Sequence, residues 1–354
     1  MNALKSWFAK STSSDHTRAE RRQTQGLEAI HYIGSDSQQD RVKDISSTGV
    51  YLLTERRWPE GSVIPLTLKS AYHPESDLQV SIEAKAVRWG ADGMGLSFLL
   101  PPGMNLRLWK SSLEYSAVQT EPEEILKEFR VAKALAFLHR VCPAARQDVN
   151  LLFREGLSNM RVAGTVEIAN QAEDMLVSES NSNHVTAAAN IMVRILNDGS
   201  WAETHLEQSL WAGLLATSCT LDGTDQTNLH YIEILSQFAA IHARILDAAC
   251  NRATKVVSAS GVVSALPLSC TADELIQISG AHDLVKIDRN LLQLSDLALI
   301  AVREKSKFFS YTEEANITPT SIGLELFARC NGHRGAAREF YGLETAASSS
   351  PFHQ

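Results

Sequence analysis

From Leu27 to about Leu100 the chain alternates short apolar and polar runs with turn residues, a pattern that predicts β structure. Leu27–Ile33 reads as a strand before the turn chemistry of Gly34-Ser35-Asp36-Ser37. Strands at Arg41–Ile45 and Val50–Thr54 flank Ser46-Ser47-Thr48-Gly49, and Pro59-Glu60-Gly61 turns into a strand over Ser62–Leu68. Within Leu78–Trp89, alternation puts Leu78, Val80, Ile82, Ala84, Ala86 and Arg88 on one face. Gly90-Ala91-Asp92-Gly93 reads as a hairpin leading into a strand at Met94. Six strands in about 75 residues, with no room for helices between them, predict a small antiparallel barrel.

Beyond Pro101-Pro102-Gly103 the apolar period becomes helical. Glu123–Val141 is one expected helix, stopped by Cys142-Pro143. His184–Leu196 and Trp201–Ala216 are two more, with Trp201 and Trp211 read as core anchors. A single helix is expected over Asn228–Cys250, with Leu235, Phe238, His242, Ile245 and Ala249 along one stripe. Near the end, a helix at Leu284–Leu297, strands at Leu299–Val302 and Phe308–Tyr311, and a helix at Ser321–Cys330 suggest a winged-helix-like unit. The expected protein is therefore multidomain. A six-stranded antiparallel β-barrel spans 16–103, a linker 104–122, a mainly α-helical domain with a winged-helix-like end 123–342, and a flexible tail 343–354.

The length of 354 residues agrees with two domains, and 44% hydrophobic against 21% charged residues excludes wholesale disorder. No apolar run approaches the roughly 18 residues of a membrane span, and Met1–Asp15 lacks the apolar core of a secretory signal. Five scattered cysteines, none in a C-x-x-C pair, argue for a reducing compartment, so a cytoplasmic location is expected. Charge is uneven: residues 1–110 carry 14 basic against 12 acidic side chains, and residues 111–354 carry 19 against 29. Phosphate neutralisation supplies most non-specific affinity for nucleic acid, so the acidic half is a poor candidate for that partner. No G-x-S-x-G, P-loop, G-x-G-x-x-G or H-E-x-x-H pattern occurs, and His205, His230 and His242 lack ligand spacing, so neither an enzyme, a cofactor nor a metal is expected. Asp222-Gly223-Thr224-Asp225 reads as a turn.

Two segments of the barrel region carry chemistry. Arg18, Arg21 and Arg22 cluster just before the first strand, and Asp44, Ser46 and Gly49 lie between two strands. Arginine meets phosphate or a guanine edge with a bidentate fork; a carboxylate accepts from guanine N–H groups, a hydroxyl reaches phosphate, and glycine allows a tight turn. This pairing of R-x-x-x-R with D-x-S-x-x-G resembles the PilZ family, as do Val42–Leu52 and Gly93-Met94-Gly95-Leu96-Ser97-Phe98. The resemblance implies a barrel that binds the bacterial second messenger cyclic di-GMP through Arg18, Arg21, Arg22, Asp44, Ser46 and Gly49. It also implies an order–disorder switch in the arginine segment that signals to an unidentified protein partner. Counted from Arg22 instead, the arginine motif places Gly26 second and loses one clamp. The other reading of the arginines is a solvated basic turn on a degenerate barrel.

Ser209–Ala216, Tyr231–Ser236, Ala243-Arg244-Ile245-Leu246 and Ile317-Thr318-Pro319 resemble the Abi-alpha family, named for abortive phage infection; Asn228-Leu229-His230 departs from its usual His-Pro form. The expected function is that of a second-messenger receptor with a helical effector domain. The alternatives are a degenerate scaffold acting as a DNA-associated regulator, through Lys305 and Lys307 on the wing, or a phage-defence effector.

Overall fold

The computed structural model describes residues 22–33, 36–46, 48–72, 79–99, 122–154, 159–177, 184–301 and 314–343. Two compact units emerge, Met1–Pro143 with Val149–Gly156 and Ala144–Asp148 with Leu157–Gln354.

In the first unit the strands are β1 (Arg22–Gln23), β2 (Leu27–Ile33), β3 (Asp36–Ser46), β4 (Gly49–Leu53), β5 (Val63–Ser70), β6 (Gln79–Trp89) and β7 (Met94–Phe98). They pair in the antiparallel order β3-β2-β5-β6-β7-β4, and β4 pairs back onto β3, closing a six-stranded barrel; β1 adds a short segment to β3. Closure satisfies the backbone groups that an open sheet would leave at its edges. The alternating residues fill the interior: Leu27 and Ala29, Ile64, Leu66 and Leu68, Val80, Ile82, Ala84 and Ala86, Met94 and Leu96 are buried. Each large aliphatic side chain removed from water contributes about 1.5–3 kcal/mol.

Two details differ from the sequence pattern. Asp36 and Ser37 are strand residues paired with Ile33 and Tyr32, because the β2–β3 ladder continues past the expected turn. Arg88 leaves the inward face: a bulge between Ala86 and Arg88 sets Ala86 opposite Leu96 and Arg88 opposite Gly95, and Arg88 is exposed. The helix α1 (Pro122–Val141) packs on β5 and β6, and its Ile125, Leu126, Phe129 and Ala136 join the barrel core. Phe129 meets Phe98 edge-on with centroids 5.8 Å apart, and Ser70 Oγ donates to Glu123 Oε1 at 2.6 Å. The helix expected to open the helical domain at Glu123 thus lies within the first unit.

After α2 (Arg146–Arg154), the second unit runs through α3 (Asn159–Val177), α4 (Ala189–Gly199), α5 (His205–Ser218), α6 (Leu229–Leu235), α7 (Ala240–Arg252), the hairpin β8 (Lys255–Val257) and β9 (Val263–Ala265), β10 (Ser269–Cys270), α8 (Ala272–Ser279), α9 (Leu284–Asp296), β11 (Ala315–Asn316), α10 (Ser321–Cys330) and α11 (Ala337–Phe340). Every residue from Leu210 to Ser218 is buried, so the C-terminal part of α5 is buried on all sides and runs through the core, with α3, α4 and α10 against the helix. The α5–α10 crossing is tight enough to require Gly213: a Cβ there would stand 1.8 Å from the Cys330 carbonyl oxygen.

Several helix boundaries correct the expected ones, for local reasons. α5 starts at His205 because Thr204 and Glu207 form a capping box, with Glu207 N donating to Thr204 Oγ1 at 3.3 Å and Thr204 N to Glu207 Oε2 at 3.1 Å. Trp201 therefore precedes the helix and is 56% exposed, whereas Trp211 is a core residue as expected. Residues 185–188 are not helical: Thr186 exchanges two backbone hydrogen bonds with Thr220, both 2.8 Å, and the α-helix begins at Ala189. The single helix expected over Asn228–Cys250 is two. Ser236 Oγ and Gln237 Nε2 donate to the Glu233 carbonyl and end α6, and His242 Nδ1 accepts from Ala239 N at 2.9 Å and starts α7.

The winged-helix-like end is not reproduced among the described residues. Ile300 forms an isolated bridge with Pro319, β11 pairs with β10, and the second expected strand, Phe308–Tyr311, lies outside the described residues, as do Lys305 and Lys307. Among the described residues, no helix is long and apolar enough to cross a membrane and no group of three His, Cys, Asp or Glu side chains could hold a metal. All five cysteines are buried and free of disulfides; burial holds the Cys250 and Cys330 thiols far above their ordinary range, which makes them poor nucleophiles.

Candidate functional site

The D-x-S-x-x-G segment forms the hairpin between β3 and β4, and each of its residues has a distinct role. Ser46 is buried and closes the turn, accepting from Thr48 N at 3.4 Å and donating to the Gly49 carbonyl at 3.3 Å. Gly49 is needed where β4 pairs with β7, since a Cβ would stand 2.2 Å from the Leu96 carbonyl oxygen. Asp44 is half-buried on β3, one residue beyond a bulge between Val42 and Asp44. Of the arginines, Arg22 pairs with Ile45 through β1, next to the Gln23–Asp44 pair, so the backbone brings the end of the arginine segment beside Asp44. Arg18 and Arg21 lie outside the described residues.

Pairing across four strands lines up Asp44, Tyr51, Gly95 and Arg88 in one row. Gly95 leaves the space that Arg88 uses: a Cβ there would be 3.2 Å from Arg88 Cγ. Tyr51 anchors the neighbouring turn by donating to Asp92 Oδ1 at 2.9 Å, and Lys43 holds the other oxygen of Asp92 at 2.5 Å while its Nζ lies 5.4 Å from the Tyr51 ring centroid. Gly90 and Gly93 make this possible, because a Cβ would meet Tyr51 Oη at 1.9 Å and the Leu52 carbonyl oxygen at 1.9 Å. Electrostatics follow the contacts. The Lys43 ammonium and then the Tyr51 hydroxyl hold the Asp92 carboxyl below the usual range, and Asp92 in turn raises Lys43. Burial, and then the bond to Asp92, push the Tyr51 phenol up.

Lys43, Tyr51, Arg88 and Asp92 were not singled out as site residues in the sequence. The two bulges were the missing information, because a shift of one residue re-aims Lys43 and Arg88 and cannot be read from alternation. The patch can offer an anion the exposed Arg88 guanidinium directly, and the Lys43 ammonium at the cost of its pair with Asp92.

The second unit has a buried polar centre instead. Asn228 Nδ2 donates to Ser218 Oγ at 2.8 Å, Thr217 Oγ1 at 2.9 Å and the Leu214 carbonyl at 3.2 Å, while its Oδ1 accepts from Arg329 Nη1 at 3.2 Å. Arg329 lies 5.7 Å from the Tyr231 ring, and Arg334 Nη2 donates to the Ala216 carbonyl at 3.2 Å. These groups add side-chain donors to the Leu214 and Ala216 carbonyls near the end of α5, beside those from Ser218 Oγ and Cys219 N. Asp222 and Asp225 bind the hydroxyls of Thr220, Thr224 and Thr227, and the segment is a turn as its sequence suggests.

With this geometry in view, residues 163–330 match the family model described as Abortive infection alpha, from within α3 to the last residue of α10 and just under half of the chain. The segments resembling that family fall in α5, α6, α7 and the approach to α10. The closed barrel is compatible with a PilZ fold, but no PilZ family model matches it. No curated protein matches the chain.

Proposed function

We propose that the protein is a phage-defence effector of the abortive-infection type, with its output in the second unit and its barrel acting as a regulatory or scaffolding module. The observation that carries this reading is the family match over 163–330, which falls within the second unit. In this reading the protein works in the cytoplasm by binding an unidentified protein partner and not by catalysis. The test is phage challenge of a bacterial host that expresses the full chain, scored by plaque number and by culture collapse at high and low multiplicity. Reduced plaquing with collapse at high multiplicity is expected, and Gly213→Ala, which disturbs the α5–α10 crossing, should reverse it. Equal plaquing of a broad phage panel on cells with soluble full-length protein would refute the reading.

A second reading concerns the barrel. The pairing of Arg22 with Ile45, one residue from Asp44, favours a cyclic di-GMP site at the β3–β4 hairpin, to which Arg88 would add a cation. Calorimetric titration of the full chain with cyclic di-GMP tests it. Arg22→Ala, Asp44→Ala and Arg88→Ala should each weaken binding about ten- to a hundred-fold, the loss for one charge-assisted contact. No heat at high ligand concentration would leave the barrel as a scaffold.

A further inference from the structure

The second unit contains a hollow of about 210 Å³ lined by Asp198, Trp201, Ala202, Glu207, Trp211, Leu235, Ser236 and Phe238. This is smaller than the roughly 300–1,000 Å³ of sites for drug-sized ligands, so it suits a small group and not a nucleotide. Three aromatic rings and two carboxylates line it, with no basic side chain among the lining residues, although Arg161 packs on the ring of Trp201. An aromatic face attracts a cation through its quadrupole, and a carboxylate nearby adds to the attraction.

The carboxylates are placed to do this. Among the described residues no side chain is hydrogen-bonded or ion-paired to the Asp198 carboxylate. Glu207 spends Oε2 on the Thr204 capping box, through Thr204 N at 3.1 Å and Oγ1 at 2.8 Å, and that box fixes its position at the rim. Trp201 is 56% exposed, an uncommon state for the largest apolar side chain, whereas Trp211, also in the lining, is buried. Trp201 already attracts a cation: the Arg161 guanidinium lies 4.7 Å from its ring centroid, tethered by Ser200 Oγ at 2.9 Å.

We propose that this hollow is a binding site for an organic cation, an alkylammonium or guanidinium group carried by a small molecule or by a lysine or arginine of a partner protein. The site is separate from the barrel patch and does not depend on the phage-defence reading, since binding is measured on the purified chain.

Saturation-transfer NMR on the full chain tests it, with choline as the free cation, 3,3-dimethyl-1-butanol as its neutral isostere, and N-acetyl-lysine and N-acetyl-arginine methylamides for the side chains. Saturable transfer to the cations, with little to the neutral isostere, is expected. Trp201→Ala and Asp198→Asn, both at exposed positions that leave the core intact, should each weaken it about two- to thirty-fold. Tighter binding of choline would assign a small-molecule ligand, and tighter binding of an amide a partner's side chain. Equal transfer to the neutral isostere, no transfer to any cation, or affinity unchanged in both variants would overturn the proposal.

Discussion

Asn228→Ala tests whether the polar centre beneath α5 holds the second unit together. The substitution removes two N–H donors and one acceptor from a site that is 2% exposed. Two neutral hydrogen bonds are worth about 0.5–1.5 kcal/mol each, and the bond from Arg329 about 1.5–3 kcal/mol. Part of that loss is recovered. Thr217 Oγ1 still donates to the Gly213 carbonyl and Ser218 Oγ to the Leu214 carbonyl, and Arg329 retains some access to water. A net cost of about 2–4 kcal/mol follows. Because the chain has two units, global denaturation mixes their transitions, so the measurement should be local. Native-state hydrogen exchange on peptides spanning 205–218 and 229–235 reports the opening of α5 and α6. Faster exchange confined to these peptides is expected, and Thr217→Val in the same background should couple by about 0.5–1.5 kcal/mol. Protection within about 0.5 kcal/mol of the wild type, or additive effects of the two changes, would refute the argument that Asn228 anchors the end of α5.

Gly213→Ala should cost about 1–3 kcal/mol by overpacking, because the new methyl would displace α10 at Cys330; hydrogen exchange in 321–330 reads it, and unchanged protection would count against the crossing. Gly49→Ala should lower the melting temperature of the barrel with no ligand present, since its Cβ would strike the Leu96 carbonyl; an unchanged melt would mean that β4 and β7 are further apart. His242 is buried, and burial depresses its pKa below the ordinary value near 6.5. The unfolded chain then binds more protons than the folded one below that value, so stability falls as pH drops from about 6.5, with a slope of at most about 1.4 kcal/mol per pH unit. His242→Gln, which keeps an acceptor for Ala239 N, should flatten that slope in denaturation at pH 7.5 and 5.5. Asp92→Asn should bring one tyrosine titration down toward, but not to, the ordinary value, because burial is the larger cause for Tyr51; ultraviolet difference titration against the wild type reads this.

Strands were legible in the sequence wherever one face meets the core, because period-two alternation records burial directly, as in Val80, Ile82, Ala84 and Ala86. Barrel closure was legible as well, since strands this short and close in sequence leave few other ways to bury one face. Three kinds of feature were not. Bulges between Val42 and Asp44 and between Ala86 and Arg88 change the register without leaving a trace in the hydrophobic pattern. Helix starts set by side-chain caps moved by several residues when a capping box, Thr204 with Glu207, overrode the apolar stripe. The break at Ser236–Ala239 was hidden because Leu235, Phe238 and His242 keep helical spacing across it, and only their hydrogen bonds reveal that two helices share one buried face.

The barrel motif illustrates why such a match carries less functional weight than its length suggests. Of Asp44, Ser46 and Gly49, two are accounted for by folding: Ser46 closes the turn with its own hydroxyl, and Gly49 makes room for β7. A chain that kept the barrel and lost its ligand would retain both. The residues that folding does not require are the ones able to report binding. Arg88 is of that kind, exposed and resting against Gly95. Loss of ligand affinity in Arg88→Ala with an unchanged melting temperature would therefore be stronger evidence for a binding site than any loss produced at Ser46 or Gly49, where affinity and fold fail together.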